Sequence, residues 1–266
     1  MATRTTEANL AQSRCRRRIG STCAMPPRMP DPPALPIHIR DVQKDYRALR
    51  PLRVRELDVH DGESIALLGF DRAAAEVFVN LLTAATVPDA GRIEIFGRPT
   101  VDIQDADTWL SSLDGFGIVS DRQVLIDNMT VEENLTMPLT MALHDVDSSV
   151  RAKVAAIAEE VGLSSEQVRQ PVAALGPGSR LRVRLGRALA PAPRILLSEH
   201  PNASLEPADL PRFAAEYAQL VSRRGIVSVM LTADNAFASV VAQRILTLQP
   251  ATGQLKPLSA WRRLFT

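Results

Sequence analysis

Cysteine is nearly absent from this 266-residue chain, and the two present, Cys15 and Cys23, both stand close to the N-terminus. A disulfide framework across the core is therefore excluded, and a reducing compartment fits the usage. Charge of either sign is also missing in excess: 31 basic against 30 acidic side chains leave a net charge of +1, too little to steer the chain onto nucleic acid. No run of about 18 apolar residues occurs, so no segment is suited to crossing a bilayer, and membrane association is expected only through a partner protein. Aromatic residues make up only 4%. What remains is a 45% hydrophobic content, enough to bury a substantial core in one globular unit.

The first 36 residues differ from the rest. Residues 1–30 hold six arginines against a single acid, Glu7, and six prolines crowd positions 26 to 36. Proline fixes φ and removes amide donors, so the segment is expected to be an extended or disordered tail. It reads first as a dispensable leader with Met25 or Met29 as the working start, and second as an Arg-rich targeting segment.

From Ile37 the pattern turns β-like. Ile37–Arg40 and Leu52–Val59 alternate with period two. The apolar run Ile65–Leu68 ends in Gly69, as a buried strand meeting a turn does. Residues 72–84 carry a helical pattern, Pro88–Gly91 a turn, and Arg92–Gly97 another alternating strand. Residues 105–190 read as mainly helical, with amphipathic spacing over Val150–Val161 and Leu181–Leu189. Arg194–Leu197 and Ile226–Thr232 are buried-strand candidates around a helical stretch at 207–222. That order predicts an α/β fold with a mostly parallel core sheet, an N-terminal antiparallel β part and an inserted helical subdomain at about 105–190.

Five segments, in one order over residues 37–250, resemble the ATP-binding cassette family of ABC transporters. They are Leu67–Leu82 for the phosphate loop and its helix, Pro88–Pro99 for the strand that follows, and Thr130–Leu139 for the stretch after the Q-loop. Leu175–Ala190 resembles the signature motif, and Ile195–Pro207 resembles the Walker B strand and D-loop. The resemblance implies a P-loop NTPase-like cassette over 37–266, with ATP and Mg²⁺ as cofactors. It further implies a membrane permease and a second cassette as partners, and a position at the inner face of the cell membrane.

The family's chemistry is largely replaced. A phosphate loop reads G-x-x-x-x-G-K-[ST]: its amides wrap phosphate, its Lys reaches the β/γ oxygens and its hydroxyl holds Mg²⁺. Here Gly69 is kept, but Ala74, Ala75 and Glu76 stand where the second Gly, the Lys and the hydroxyl belong, with Val77 next. Glu76 would repel a triphosphate, and Asp71 is expected to cap the helix in place of a phosphate. Asp121 takes the Q-loop position and reads first as an exposed turn carboxylate, second as a hard-cation ligand. In the signature, Gly176 lacks the hydroxyl, Pro177 lacks an amide hydrogen, and Gly178 is kept. Arg180, Arg184 and Arg187 form a helical stripe, ordinarily a solvated face and otherwise one turned to a partner. Glu199 falls at the metal-associated Asp, His200 at the catalytic Glu, Glu206 at the D-loop Asp and Ala233 at the switch His. Tyr46 stands where the family stacks a ring on adenine, or is a packed surface aromatic. Three functions compete: a catalytically degenerate cassette subunit on a permease, a pseudo-ATPase interaction module without a transport role, and a working ATPase with non-standard residues. Loss of Lys and Mg²⁺ stabilisation argues against the third.

Overall fold

The computed structural model describes residues 34–141 and 145–258. The expected Arg/Pro-rich tail lies outside them, apart from its last three positions. Among the described residues, ten strands run β1 Ile37–Lys44, β2 Leu52–Val59, β3 Ser64–Leu68, β4 Ala90–Ile95, β5 Arg98–Pro99, β6 Phe116–Val119, β7 Ile195–Glu199, β8 Val227–Leu231, β9 Arg244–Gln249 and β10 Gln254–Pro257. The helices are α1 Arg72–Leu82, α2 Ala106–Leu113, α3 Val131–Thr136, α4 Ser148–Glu160, α5 Ser165–Arg169, α6 Pro177–Leu189, α7 Leu210–Arg224 and α8 Asn235–Val241.

The strands form two sheets. One is antiparallel, in the order β2-β1-β4-β5, with Ile37 opposite Val59 and Ile39 opposite Leu57. The other runs β10-β9-β3-β8-β7-β6, parallel from β9 to β6, with β10 antiparallel at its edge. Its middle strands β3, β7 and β8 are buried along their whole length, as a parallel sheet covered on both faces requires. Side chains alternate between two cores. Ile65, Leu67, Ile195, Leu197, Val227 and Val229 face α1 and the antiparallel sheet. Ala66, Leu68, Leu196 and Met230 face a layer containing α3, α4, α6, α7 and α8. In that second core, Tyr217 is 1% exposed and its hydroxyl meets Ser198 Oγ at 3.0 Å and Ser228 Oγ at 2.8 Å, tying α7 to β7 and β8.

The α/β architecture with an antiparallel N-terminal sheet agrees with the sequence reading, but the span 105–190 is not wholly helical. Within it, Phe116–Val119 is the strand β6, paired with β7. Four residues with a glycine in the middle carry almost no strand signal. That glycine is demanded by packing: a Cβ on Gly117 would lie 2.5 Å from the Ala188 carbonyl oxygen of α6. Strands β9 and β10 likewise went unread in the sequence.

The stripe on α6 differs from its solvated expectation. Arg180 Nη2 donates to Asp127 Oδ1 (2.6 Å), Arg184 Nη1 lies 3.1 Å from Asp121 Oδ1, and Arg187 Nη1 donates to the Val124 carbonyl (2.8 Å). Burial lowers the Arg187 pKa. The three guanidiniums thus clamp segment 121–127 onto α6. The segment's far end is held by buried Asn134, which accepts from the Ile126 amide and donates to the Ile126 and Thr130 carbonyls, each at 3.0 Å.

Candidate functional site

Where β3 ends, Gly69 takes φ +83°, a conformation natural to glycine, and a Cβ there would stand 3.0 Å from the Leu248 carbonyl of β9. The chain then enters α1. Asp71, in extended conformation, accepts from the Ala74 amide through Oδ1 at 2.7 Å, while its carbonyl accepts from Ala75 at 2.9 Å. This is the N-cap expected from the sequence, and it puts a carboxylate on an amide at the start of the helix. Ala74 and Ala75 are 6% and 0% exposed, packed into the core beneath α1. Val77 packs half-buried against the same core.

Beside this helix start lies a cavity of about 330 Å³. Its walls bring together Glu76 from α1, Asp121 from the clamped segment, and Glu199 and His200 from the end of β7. Arg72, Ala73, Ser120 and Arg122 complete it. Four acidic or titratable positions singled out in the sequence therefore converge. Tyr46 is half-buried against the core and does not line the cavity; burial raises its pKa first and the charge of Asp71 second. Gly178 does not join them: it lies in the first turn of α6, in a separate depression with Leu205 and Phe213. Ala233 is exposed between Thr232 and Asp234, the residue that caps α8, and does not line the cavity.

The residue missed in the sequence is Arg122. Its Nη1 donates to Glu76 Oε1 at 3.3 Å and its Nε to Glu199 Oε2 at 3.1 Å, with a second short contact from Nη2 to Glu199 Oε1. Ser120 Oγ also donates to Glu199 Oε2 (2.8 Å). Glu199 is only 8% exposed, and the guanidinium supplies its compensating charge. The Glu199 hydrogen bond raises the Arg122 pKa more than burial lowers it. No local pattern could have announced this pairing, because the partners lie 46 and 77 residues away in sequence.

His200 follows Glu199 in a left-handed conformation (φ 44°, ψ 45°), its amide donating to the Leu231 carbonyl at 2.8 Å. Its Nε2 is buried without a hydrogen-bond partner. Burial lowers its pKa, with partial opposition from the Asp71 backbone, so the imidazole is neutral at pH 7. In the next loop, Thr232 Oγ1 donates to Asn202 Oδ1 at 2.9 Å, joining the turn after β8 to the turn after β7.

A glycine turn from a central parallel strand into a helix, with acidic residues gathered at the neighbouring strand ends, is the layout of the α/β nucleotide-binding folds to which the P-loop class belongs. Comparison with known proteins refines the class. The family model described as "ABC transporter" matches residues 52–203. The sulfate/thiosulfate import ATP-binding protein CysA of Pseudomonas aeruginosa is 30% identical over 217 residues, 80% of this chain and 63% of the relative. The lipoprotein-releasing system ATP-binding protein LolD of Ruegeria sp. is 30% identical over 219 residues, 80% of this chain and 95% of the relative. Among solved structures, cbiO1 from Clostridium perfringens superposes with a TM-score of 0.72 at 16% identity, covering 87% of this chain and 91% of that one. The dimeric structure of the bacterial ABC transporter cassette MJ0796 has a TM-score of 0.68 at 22% identity, over 82% and 96%. The chain belongs to the ABC transporter family and is an ATP-binding-cassette subunit by fold and by sequence. It spans less than two thirds of the length of the CysA relative, and nearly all of the LolD relative.

Proposed function

We propose that this cassette is a catalytically degenerate subunit of a transporter, working by shape and partnership and binding or splitting ATP weakly or not at all. The observation that carries this reading is the Arg122 bridge: the carboxylates at the family's hydroxyl and metal positions, Glu76 and Glu199, are joined by an internal guanidinium. The residues present do not fit a magnesium triphosphate held in the family manner. Ala75 has no ammonium to offer the β/γ oxygens, Asp71 already supplies an anion to the helix start, and Glu76 adds like charge beside it.

A permease subunit and a second cassette, in a homo- or heterodimer, are the partners this reading names. The transport roles in the relatives' names and the dimeric cassette structure support both. None of the described helices is long and apolar enough to cross a membrane, so the attachment to the inner face of the cell membrane is assigned to the permease. In a pairing with an intact cassette, turnover would come from the partner's phosphate loop.

The test is thermal unfolding of the isolated protein in millimolar Mg-ATP. A ligand at 100-fold its Kd stabilises by about 2.7 kcal/mol, an easily measured rise. A flat response is expected. A clear rise, or ATP turnover by the isolated chain that disappears in Glu199→Gln, would overturn the proposal.

A further inference from the structure

At the opposite end of α1 from the Arg122 bridge lies a second cavity of about 370 Å³. The two are separated by an eleven-residue helix, roughly 16 Å at 1.5 Å per residue. Its wall is mostly apolar, with Leu82 from the end of α1, Ile95 and Phe96 at the end of β4, Ile103, and Phe116 from the start of β6, and with Ser111 and Ser112 of α2 set among them. Into this wall is set Thr100, 0% exposed, whose Oγ1 has no hydrogen-bond partner among the described residues. Buried hydroxyls are nearly always paired, so an orphan lining a cavity marks a place where a polar atom belongs.

The charge here has one sign. Arg98 and Arg194 both line the cavity, and neither forms an ion pair among the described residues. The Arg194 guanidinium carbon lies 3.6 Å from the centroid of the Phe96 ring in a cation–π contact, and its side chain makes no hydrogen bond among the described residues. The acids of the neighbouring segment, Asp102, Asp105, Asp107 and Asp114, do not line the cavity, although Asp105 feels the charge of Arg98.

We propose that this cavity is a binding site for a small amphipathic anion: one carboxylate on an apolar chain or ring. Its volume suits about twelve non-hydrogen atoms at ~30 Å³ each. The apolar portion lies against Phe96, Ile103 and Phe116. The carboxylate accepts from a guanidinium at the mouth and, once the wall gives way around the enclosed Thr100 side chain, from its hydroxyl. A mostly apolar pocket with a few convergent polar groups is the general form of such sites. The inference does not depend on whether ATP binds at the other end of the helix.

Trp109 offers a direct readout, because its Nε1 donates to the carbonyl of Thr83, which lines the cavity (3.0 Å). In a Trp261→Phe background it is the one remaining tryptophan. Titration of that protein with decanoate, followed by Trp109 emission and in parallel by calorimetry, should show saturable binding below about 1 mM, as a ligand of this size allows. Decanol should bind at least about tenfold more weakly, as should decanoate to Arg194→Gln, since each change removes the charge-assisted contact. Thr100→Val keeps the side-chain shape, so it should weaken decanoate several-fold while leaving the melting temperature unchanged or raised. Absence of saturable binding in both measurements would overturn the proposal. So would equal affinity for decanol, or full affinity retained in both Arg194→Gln and Thr100→Val.

Discussion

Arg122 carries two opposite carboxylate contacts from a side chain 41% exposed, while Glu199 beneath it is almost fully enclosed. Removing the guanidinium strands the buried charge, which costs more than the pair contributes. Arg122→Ala should therefore lower unfolding free energy by about 2 kcal/mol, discounted for the exposure of the arginine. Adding Glu199→Gln should recover part of that loss in a double-mutant cycle read by chemical denaturation. His200 makes a pH-dependent prediction. Its folded pKa is depressed by burial, so the folded state takes up fewer protons than the unfolded one. Stability is then fully present above the unfolded value of about 6.5 and falls as pH drops below it. His200→Asn, which tolerates the left-handed backbone, should flatten the decline measured between about pH 6.5 and 5.

At the scale of elements, α6 and segment 121–127 behave as one unit because three arginines reach across to it. The contacts go to the side chains of Asp121 and Asp127 and to the carbonyls of Gln123 and Val124. Arg184→Ala breaks two of them at once. Amide hydrogen exchange should then accelerate across 121–127, with α6 itself left protected by its buried face of Leu181, Leu185 and Leu189. Equal acceleration in α6 would mean that the arginine supports the helix and not the segment. A helical arginine stripe reads as solvated in one dimension. Only when β6 delivers the segment alongside α6 do these side chains acquire partners about 60 residues away.

Across the whole molecule, acid stability rests on carboxylates held below their ordinary range. Arg40 does this for Asp58, chiefly by a hydrogen bond between strands β1 and β2. Arg224 does it for Glu160, joining α7 to α4, with Nε to Oε1 at 2.9 Å. Depressed carboxylates stabilise the fold above their unfolded values of about 4 and lose that contribution as pH falls through the folded values. Glu160→Gln should cost about 1 kcal/mol near neutrality, and its deficit relative to the parent should shrink below about pH 4 in denaturant titrations. The same neutral and acid limbs should persist with Mg-ATP present, since the proposed function gives the nucleotide no purchase on the folded state.

Much of this architecture was legible in one dimension. Buried strands β3, β7 and β8 announce themselves as short apolar runs. The Asp71 cap follows from an acid ahead of a helical pattern, and the replacements at Ala75, Glu76 and Glu199 stand at fixed distances from Gly69 and Pro201. These depend on neighbours a few residues apart, where spacing alone sets geometry. The pairing of Glu76 and Glu199 through Arg122 depended on the fold, as did the clamp of α6 on segment 121–127 and the meeting of Thr100 with Arg98 and Arg194 around one cavity. Each joins side chains that the sequence separates and the two sheets bring within a few ångströms. A charge's partner, or the lack of one, is a property of distance in space, and no periodicity along the chain records it.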